Sequence, residues 1–109
     1  MYASIKGFNP DYSENPPTID DISQLTGDAI LEFGAPWCGY CQASRAIVAE
    51  VLGDLSIPHI KVFDGKGKKL GRMFGVKLWP TLILLRNGTE VNRIVRPILK
   101  EEIDRFLAL

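Results

Sequence analysis

Asn87-Gly88 sits between two stretches of strand character, and it constrains this chain more than any other pair of residues. Asn-Gly favours the type I′ turn, which needs positive φ at both positions and folds two strands back on each other. Thr81–Arg86 before it is strongly apolar, and Thr89–Val95 after it returns antiparallel. Upstream the rhythm differs. Ala29–Phe33 reads as a buried strand, interrupted by Glu32 and broken by Gly34-Ala35-Pro36, and Ile57–Phe63 is the next strand, with Pro58 suited to its first residues rather than its centre. Between them, Cys38 to about Leu52 places Cys41, Ala46, Ile47, Val48, Val51 and Leu52 on one face of a helix that Gly53 stops.

Ser4–Phe8 reads as a first short strand or arm, and Asn9–Pro17, with three prolines, as an extended loop. Thr18 caps a helix with Asp20 and Asp21 in its first turn, Ile22 and Leu25 on one face, and Gly27 at its end. A short helix is expected over Lys68–Phe74. Pro97 opens a last one with Ile98, Leu99, Ile103, Phe106 and Leu107 on its apolar face. The order is β–α–β–α–β–α–β–β–α. Strands separated by helices ask for parallel crossovers, and the terminal hairpin adds an antiparallel pair. The expected class is α/β, three layers with a central mixed β-sheet flanked by helices on both faces.

At 109 residues the chain fits one domain, 1–109, with an arm at 1–17 and the core from 18 onward. Thirteen basic and thirteen acidic residues cancel, so no broad field exists for gripping nucleic acid or an anionic membrane. The longest apolar run, Leu82–Leu85, is far short of a bilayer span. The start has no secretory pattern, so a cytoplasmic protein is expected. Two cysteines exclude a disulfide framework and a four-thiolate zinc site, and His59 alone cannot complete a mixed one. No metal is therefore expected. His59 reads as a strand residue without visible ligand partners.

The one sharp motif is Trp37-Cys38-Gly39-Tyr40-Cys41, between a buried strand and a helix start. Two intervening residues bring both sulfurs into one helical turn. Cys38 at the helix N-terminus gains from unpaired N–H groups and the dipole, which lower its pKa and make it the nucleophile. Cys41, one turn in, is the resolving thiol. A structural disulfide across so short a loop would remove little chain entropy. The pair therefore reads as redox-active.

Ala29–Cys41, together with Gly75-Val76-Lys77-Leu78-Trp79-Pro80-Thr81-Leu82-Ile83-Leu84-Leu85-Arg86-Asn87-Gly88, resembles the two hallmark segments of the thioredoxin family, from about Thr18 to the C-terminus. The resemblance implies the thioredoxin fold, with Pro80 cis and facing the cysteines, and the Trp79 backbone open to a substrate peptide by strand addition. Trp37, Gly39 and Tyr40 would complete the groove. Glu32 stands where the family has a buried aspartate that moves the resolving cysteine's proton. It is expected to act on Cys41, directly or through water, with a raised pKa and with Lys61 as partner. No bound cofactor is implied. Protein disulfides are the expected substrates, a flavin-dependent thioredoxin reductase the expected electron donor, and a monomer the expected state.

Several positions depart from the family pattern. Tyr40 replaces a proline between the cysteines, and Cys-Gly-Tyr-Cys resembles the motif of bacterial periplasmic disulfide isomerases. Gly34 stands where an aromatic often follows the strand, and Ala46 near a helix-kinking proline. Arg96 replaces a small glycine before the last helix. With Arg93 and Lys100 it reads either as a solvated charged face or as a cation beside the groove that favours acidic substrates, the solvated face being the simpler reading. The dipeptide tunes redox poise, which spans about −270 mV for thioredoxin to about −120 mV for a strong periplasmic oxidant. Loss of the proline places this chain on the oxidising side of thioredoxin. The reading is a protein-disulfide reductase. Its alternatives are an isomerase or oxidant of the same fold, and a binding module with incidental redox activity.

Overall fold

The computed structural model describes residues 4–13 and 15–108. Positions 1–3, 14 and 109, which belong to the predicted arm, its loop and the chain end, lie outside them. The elements are β1 (Ile5–Lys6), α1 (Ile19–Ser23), β2 (Asp28–Gly34), α2 (Gly39–Leu52), β3 (Pro58–Phe63), α3 (Leu70–Met73), β4 (Thr81–Arg86), β5 (Thr89–Val95) and α4 (Lys100–Leu107). Their order is the predicted one, and Pro58 opens its strand.

The sheet runs β1-β3-β2-β4-β5. β2 pairs parallel with β3 and antiparallel with β4, β1 is antiparallel to β3, and β5 is antiparallel to β4. The fold is therefore the expected mixed sheet, but only α2 returns the chain for a parallel strand. A parallel crossover at every helix is too simple an expectation. The four residues of α3 rise about 6 Å, too little helix to carry the chain back along a six-residue strand of about 20 Å.

The hairpin turn forms as its residues require. Asn87 and Gly88 have φ of 54° and 79°, the positive values a type I′ turn needs. A Cβ on Gly88 would lie 2.6 Å from the Ile22 carbonyl oxygen, so glycine also lets the turn press against the end of α1. Asn87 Oδ1 accepts from the Gly27 N–H at 2.8 Å, and the Asn87 N–H donates to the Gly27 carbonyl at 2.9 Å, which ties the hairpin to the start of β2.

Alternation along the strands splits the core in two. One face carries Ala29, Leu31, Phe33, Ile60, Val62, Ile83 and Leu85 under Ile22 of α1 and Leu70 of α3. The other carries Ile30, Leu82 and Leu84 under Val48, Val51 and Leu52 of α2 and Ile103 and Phe106 of α4. Three expected core positions are exposed instead. Ala46 faces solvent, and Ser44 takes a place in the buried stripe of α2, its hydroxyl bonded to the Cys41 carbonyl. Ile98 and Leu99 are exposed because α4 begins only at Lys100, where the Glu102 carboxylate accepts from the Ile98 and Leu99 N–H groups. A side-chain acceptor for otherwise unpaired N–H groups thus sets the helix start, three residues beyond Pro97.

Candidate active site

Gly34 ends β2, and the chain turns through Ala35, Pro36 and Trp37 so that Cys38 becomes the N-cap of α2. Its sulfur accepts from the Cys41 N–H at 3.1 Å. Cys38 is partly exposed and Cys41 buried, and both thiols are free. Burial, and then the hydrogen bond with Cys38, push the Cys41 thiol up to about 11, partly opposed by the Tyr12 hydroxyl. The helix turn thus holds an accessible sulfur with an N–H aimed at it, next to a sheltered one.

Glu32 lies behind them, 3% exposed on the α2 side of the sheet. Its Oε1 is 2.8 Å from His59 Nε2, and its Oε2 accepts from the Tyr12 hydroxyl at 2.9 Å. The Asn9 N–H donates to His59 Nδ1 at 2.9 Å, so the ring proton sits on Nε2 and is donated to Glu32. The Asn9 amide also donates to the His59 carbonyl at 3.0 Å. Burial pushes the Glu32 carboxyl up, but the His59 bond, the Lys61 charge and the Tyr12 hydroxyl outweigh it and hold the group below its ordinary value. The raised pKa expected from the sequence is corrected in sign, because the carboxylate is buried together with donors.

Lys61 is also relocated. It pairs with Glu32 in the β2–β3 register, yet its ammonium donates to the Pro10 carbonyl at 3.2 Å and lies 4.1 Å from the Tyr12 ring centroid. It reaches Glu32 through its field, and His59 is the carboxylate's direct partner on the sheet. Burial lowers the Lys61 pKa, opposed by the Glu32 charge.

Tyr12 explains the glycine at position 34. A Cβ there would lie 2.6 Å from both the Cys41 sulfur and the Tyr12 hydroxyl oxygen. The space a β2 side chain would fill is taken by a tyrosine from the arm. Beside it a cavity of about 170 Å³ is lined by Tyr12, Pro36, Cys41, Arg45 and Lys61, among others. Sequence reasoning missed Tyr12, Asn9 and His59. A period of two along β3 puts His59 and Lys61 on Glu32's face, a signal that was available. Tyr12 had none beyond the missing side chain at Gly34.

The rim follows expectation more closely. Trp37 and Tyr40 are 66% and 58% exposed, and Gly39 is exposed beside them. Trp79–Pro80 is cis, with Pro80 buried. Trp79 is half-buried, its indole N–H donating to Asp64 Oδ2 at 2.9 Å. Its carbonyl is not open, because Arg96 Nε donates to it at 2.7 Å. The Arg96 guanidinium also lies 3.7 Å from the Tyr40 ring centroid, bridging the proline loop to the dithiol turn. Arg96 holds φ of 52°, a left-handed conformation that costs a non-glycine residue about 1–2 kcal/mol and that these two contacts offset. Among the described residues no cluster of three or more His, Cys, Asp and Glu side chains is gathered as a metal would need, and no helix is long and apolar enough to cross a membrane.

The geometry can be set beside known proteins. The chain is 44% identical to thioredoxin 2 from Pseudomonas aeruginosa PAO1 in its reduced form, over 91% of this chain and 96% of that one, with a TM-score of 0.78. It is 33% identical to Thioredoxin H2-1 of Oryza sativa over 81% of its length, and 40% identical over 76 residues to Protein disulfide isomerase-like 5-3 of the same species. It spans 64% of the first of these rice proteins and 18% of the second. The thioredoxin family profile matches residues 18–108, and the chain belongs to the thioredoxin family.

Proposed function

We propose that this protein is a thiol–disulfide oxidoreductase that reduces protein disulfides through Cys38 and Cys41. The observation that carries the reading is a partly exposed thiol at a helix N-cap, hydrogen-bonded to the N–H of a buried thiol in the same turn. The Cys38 thiolate attacks one sulfur of a substrate disulfide and forms a mixed disulfide, and the other substrate sulfur leaves with the electron pair. Cys41 gives up its proton and attacks Cys38. The second substrate thiolate is released, and an oxidised Cys38–Cys41 pair remains. Glu32 takes the Cys41 proton, and Lys61 favours the state in which that carboxylate is charged.

Trp37, Gly39, Tyr40, Trp79 and Pro80 form the groove. A substrate backbone that pairs with the Trp79 carbonyl displaces Arg96 Nε, and the released guanidinium then lies beside the peptide, where it favours acidic side chains. No bound cofactor enters this scheme, because the dithiol itself carries the electrons. A flavin-dependent thioredoxin reductase is the proposed donor, the cytoplasm the proposed compartment, and a monomer the working state.

A second reading, a disulfide isomerase or oxidant, is favoured by the Gly39-Tyr40 dipeptide and by the similarity to an isomerase-like protein. Insulin reduction with dithiothreitol as donor separates the two. Rapid precipitation of the insulin B chain supports the reductase, and failure to reduce insulin supports the alternative. Equilibration with glutathione is expected to give a potential above about −270 mV. A value at or below that figure removes the claim of an oxidising shift.

A further inference from the structure

Tyr12 stands between the two ends of the proton's path. Its hydroxyl donates to Glu32 Oε2 at 2.9 Å and faces the Cys41 sulfur across the space above Gly34. A single point above Gly34 lies 2.6 Å from that hydroxyl oxygen and 2.6 Å from the sulfur. Among the described residues Glu32 bonds His59 and Tyr12 through its side chain, with no direct bond to Cys41. His59 fills the other carboxylate oxygen, so Oε2 is the one that meets Tyr12.

We infer that Tyr12 is the proton relay of the resolving step, a role that rests on Glu32 being the final acceptor. As Cys41 Sγ attacks Cys38 Sγ, the Cys41 proton passes to Tyr12 Oη and the Tyr12 hydroxyl proton passes to Glu32 Oε2. The Cys38–Cys41 disulfide forms, the bond from Cys38 to the substrate breaks, and the electron pair leaves on the substrate sulfur, which takes a proton from solvent. Running backward, the same chain returns a proton to Cys41 when the disulfide is reduced. Burial and the Glu32 charge make the phenol hard to ionise, so the two transfers are concerted and no phenolate accumulates. Gly34 and Tyr12 form one device: the missing Cβ leaves room for the hydroxyl.

The rival route is water. The cavity of about 170 Å³ beside Cys41 has room for several molecules at about 30 Å³ each. The test is a single turnover of the reduced protein with 4,4′-dithiodipyridine, in which the first thiopyridone released reports attack by Cys38 and the second reports resolution by Cys41. Tyr12→Phe keeps the ring and removes the hydroxyl. We expect an unchanged first release and a second release slowed about 10- to 100-fold at pH 7, within or just below what positioned proton transfer contributes. The difference should close as pH approaches about 11, where Cys41 ionises unaided.

A second release equal to wild type at pH 7, or a slowing that persists undiminished to pH 11, overturns the relay. Glu32→Gln separates the relay from the reading beneath it. If Glu32→Gln slows the second release and Tyr12→Phe does not, Tyr12 is discarded and Glu32 stands, its proton arriving through water. If neither variant slows it, the Glu32 role falls as well.

Discussion

The two faces of the sheet are made from the same strands and do different work. Under α1 and α3 the buried positions of β2, β3 and β4 are apolar apart from Thr81, whose hydroxyl donates to the Leu78 carbonyl at 2.6 Å. Under α2, Ile30, Leu82 and Leu84 share their face with Glu32, His59 and Lys61, which are buried nearly as completely as the apolar residues. A buried polar group is costly unless it is hydrogen-bonded. Here each member has a partner, and no buried side-chain N or O atom among the described residues lacks one. The dry face holds the sheet. On the mechanism proposed above, the polar face accepts a demanding arrangement because a thiol proton must be moved.

That division can be broken from either side. The largest effect is expected from Cys41→Ser, which should abolish turnover and trap mixed disulfides on Cys38, recoverable by non-reducing electrophoresis, with little change in chemical stability. Continued turnover would mean that the buried thiol is not the resolving group. On the dry face, Ile83→Ala should cost about 2–5 kcal/mol in denaturant unfolding while both thiopyridone releases keep their wild-type rates. A slowed second release in that variant would show that the faces are not independent.

A smaller effect concerns pH. The unfolded chain protonates Glu32 at its ordinary value and the folded one only below it. Its stabilisation is therefore complete above the ordinary carboxylate value and is lost as pH falls through the lower folded value. Glu32→Gln should flatten the acid limb of a stability–pH curve. Cys41 acts at the other end: the folded thiol keeps its proton up to about 11 whereas the unfolded one loses it near 9. Stability should therefore fall as pH rises across that interval, a slope that Cys41→Ser removes. An unchanged acid limb in Glu32→Gln would count against the depressed carboxyl.

The smallest effect belongs to the groove. Arg96→Gly relieves the positive φ and frees the Trp79 carbonyl, so it should not lower stability. The preference for acidic over neutral disulfide peptides, measured as a ratio of kcat/KM, should fall about fivefold, roughly the 1 kcal/mol of a part-exposed ion pair. An unchanged ratio removes Arg96 from substrate recognition. A slowed second release would show that the rim feeds back on the buried line.

Much of this was legible in residues that act through near neighbours. Asn87-Gly88 announces its turn, Thr18 and Asp21 cap each other across three residues, and Cys38-Gly39-Tyr40-Cys41 carries its chemistry in its spacing. Glu32 was conspicuous as a charge inside an apolar strand. What it touches was not. Lys61 looked like its partner because the register pairs them, but side chains leave the strand at angles that register does not specify, and His59 reached the carboxylate first.

The amino-acid sequence by itself determined the order of strands and helices, the hairpin and the dithiol, because turns, caps and periodicity are satisfied within a few residues. Only the tertiary structure decided the sign of the Glu32 shift, the occupant of the space at Gly34 and the closure of the Trp79 carbonyl. Tyr12 meets Glu32 across 20 residues, His59 meets it across 27, and Asn9 meets His59 across 50. Such contacts depend on which loop the finished sheet leaves above which strand, and no local propensity encodes that.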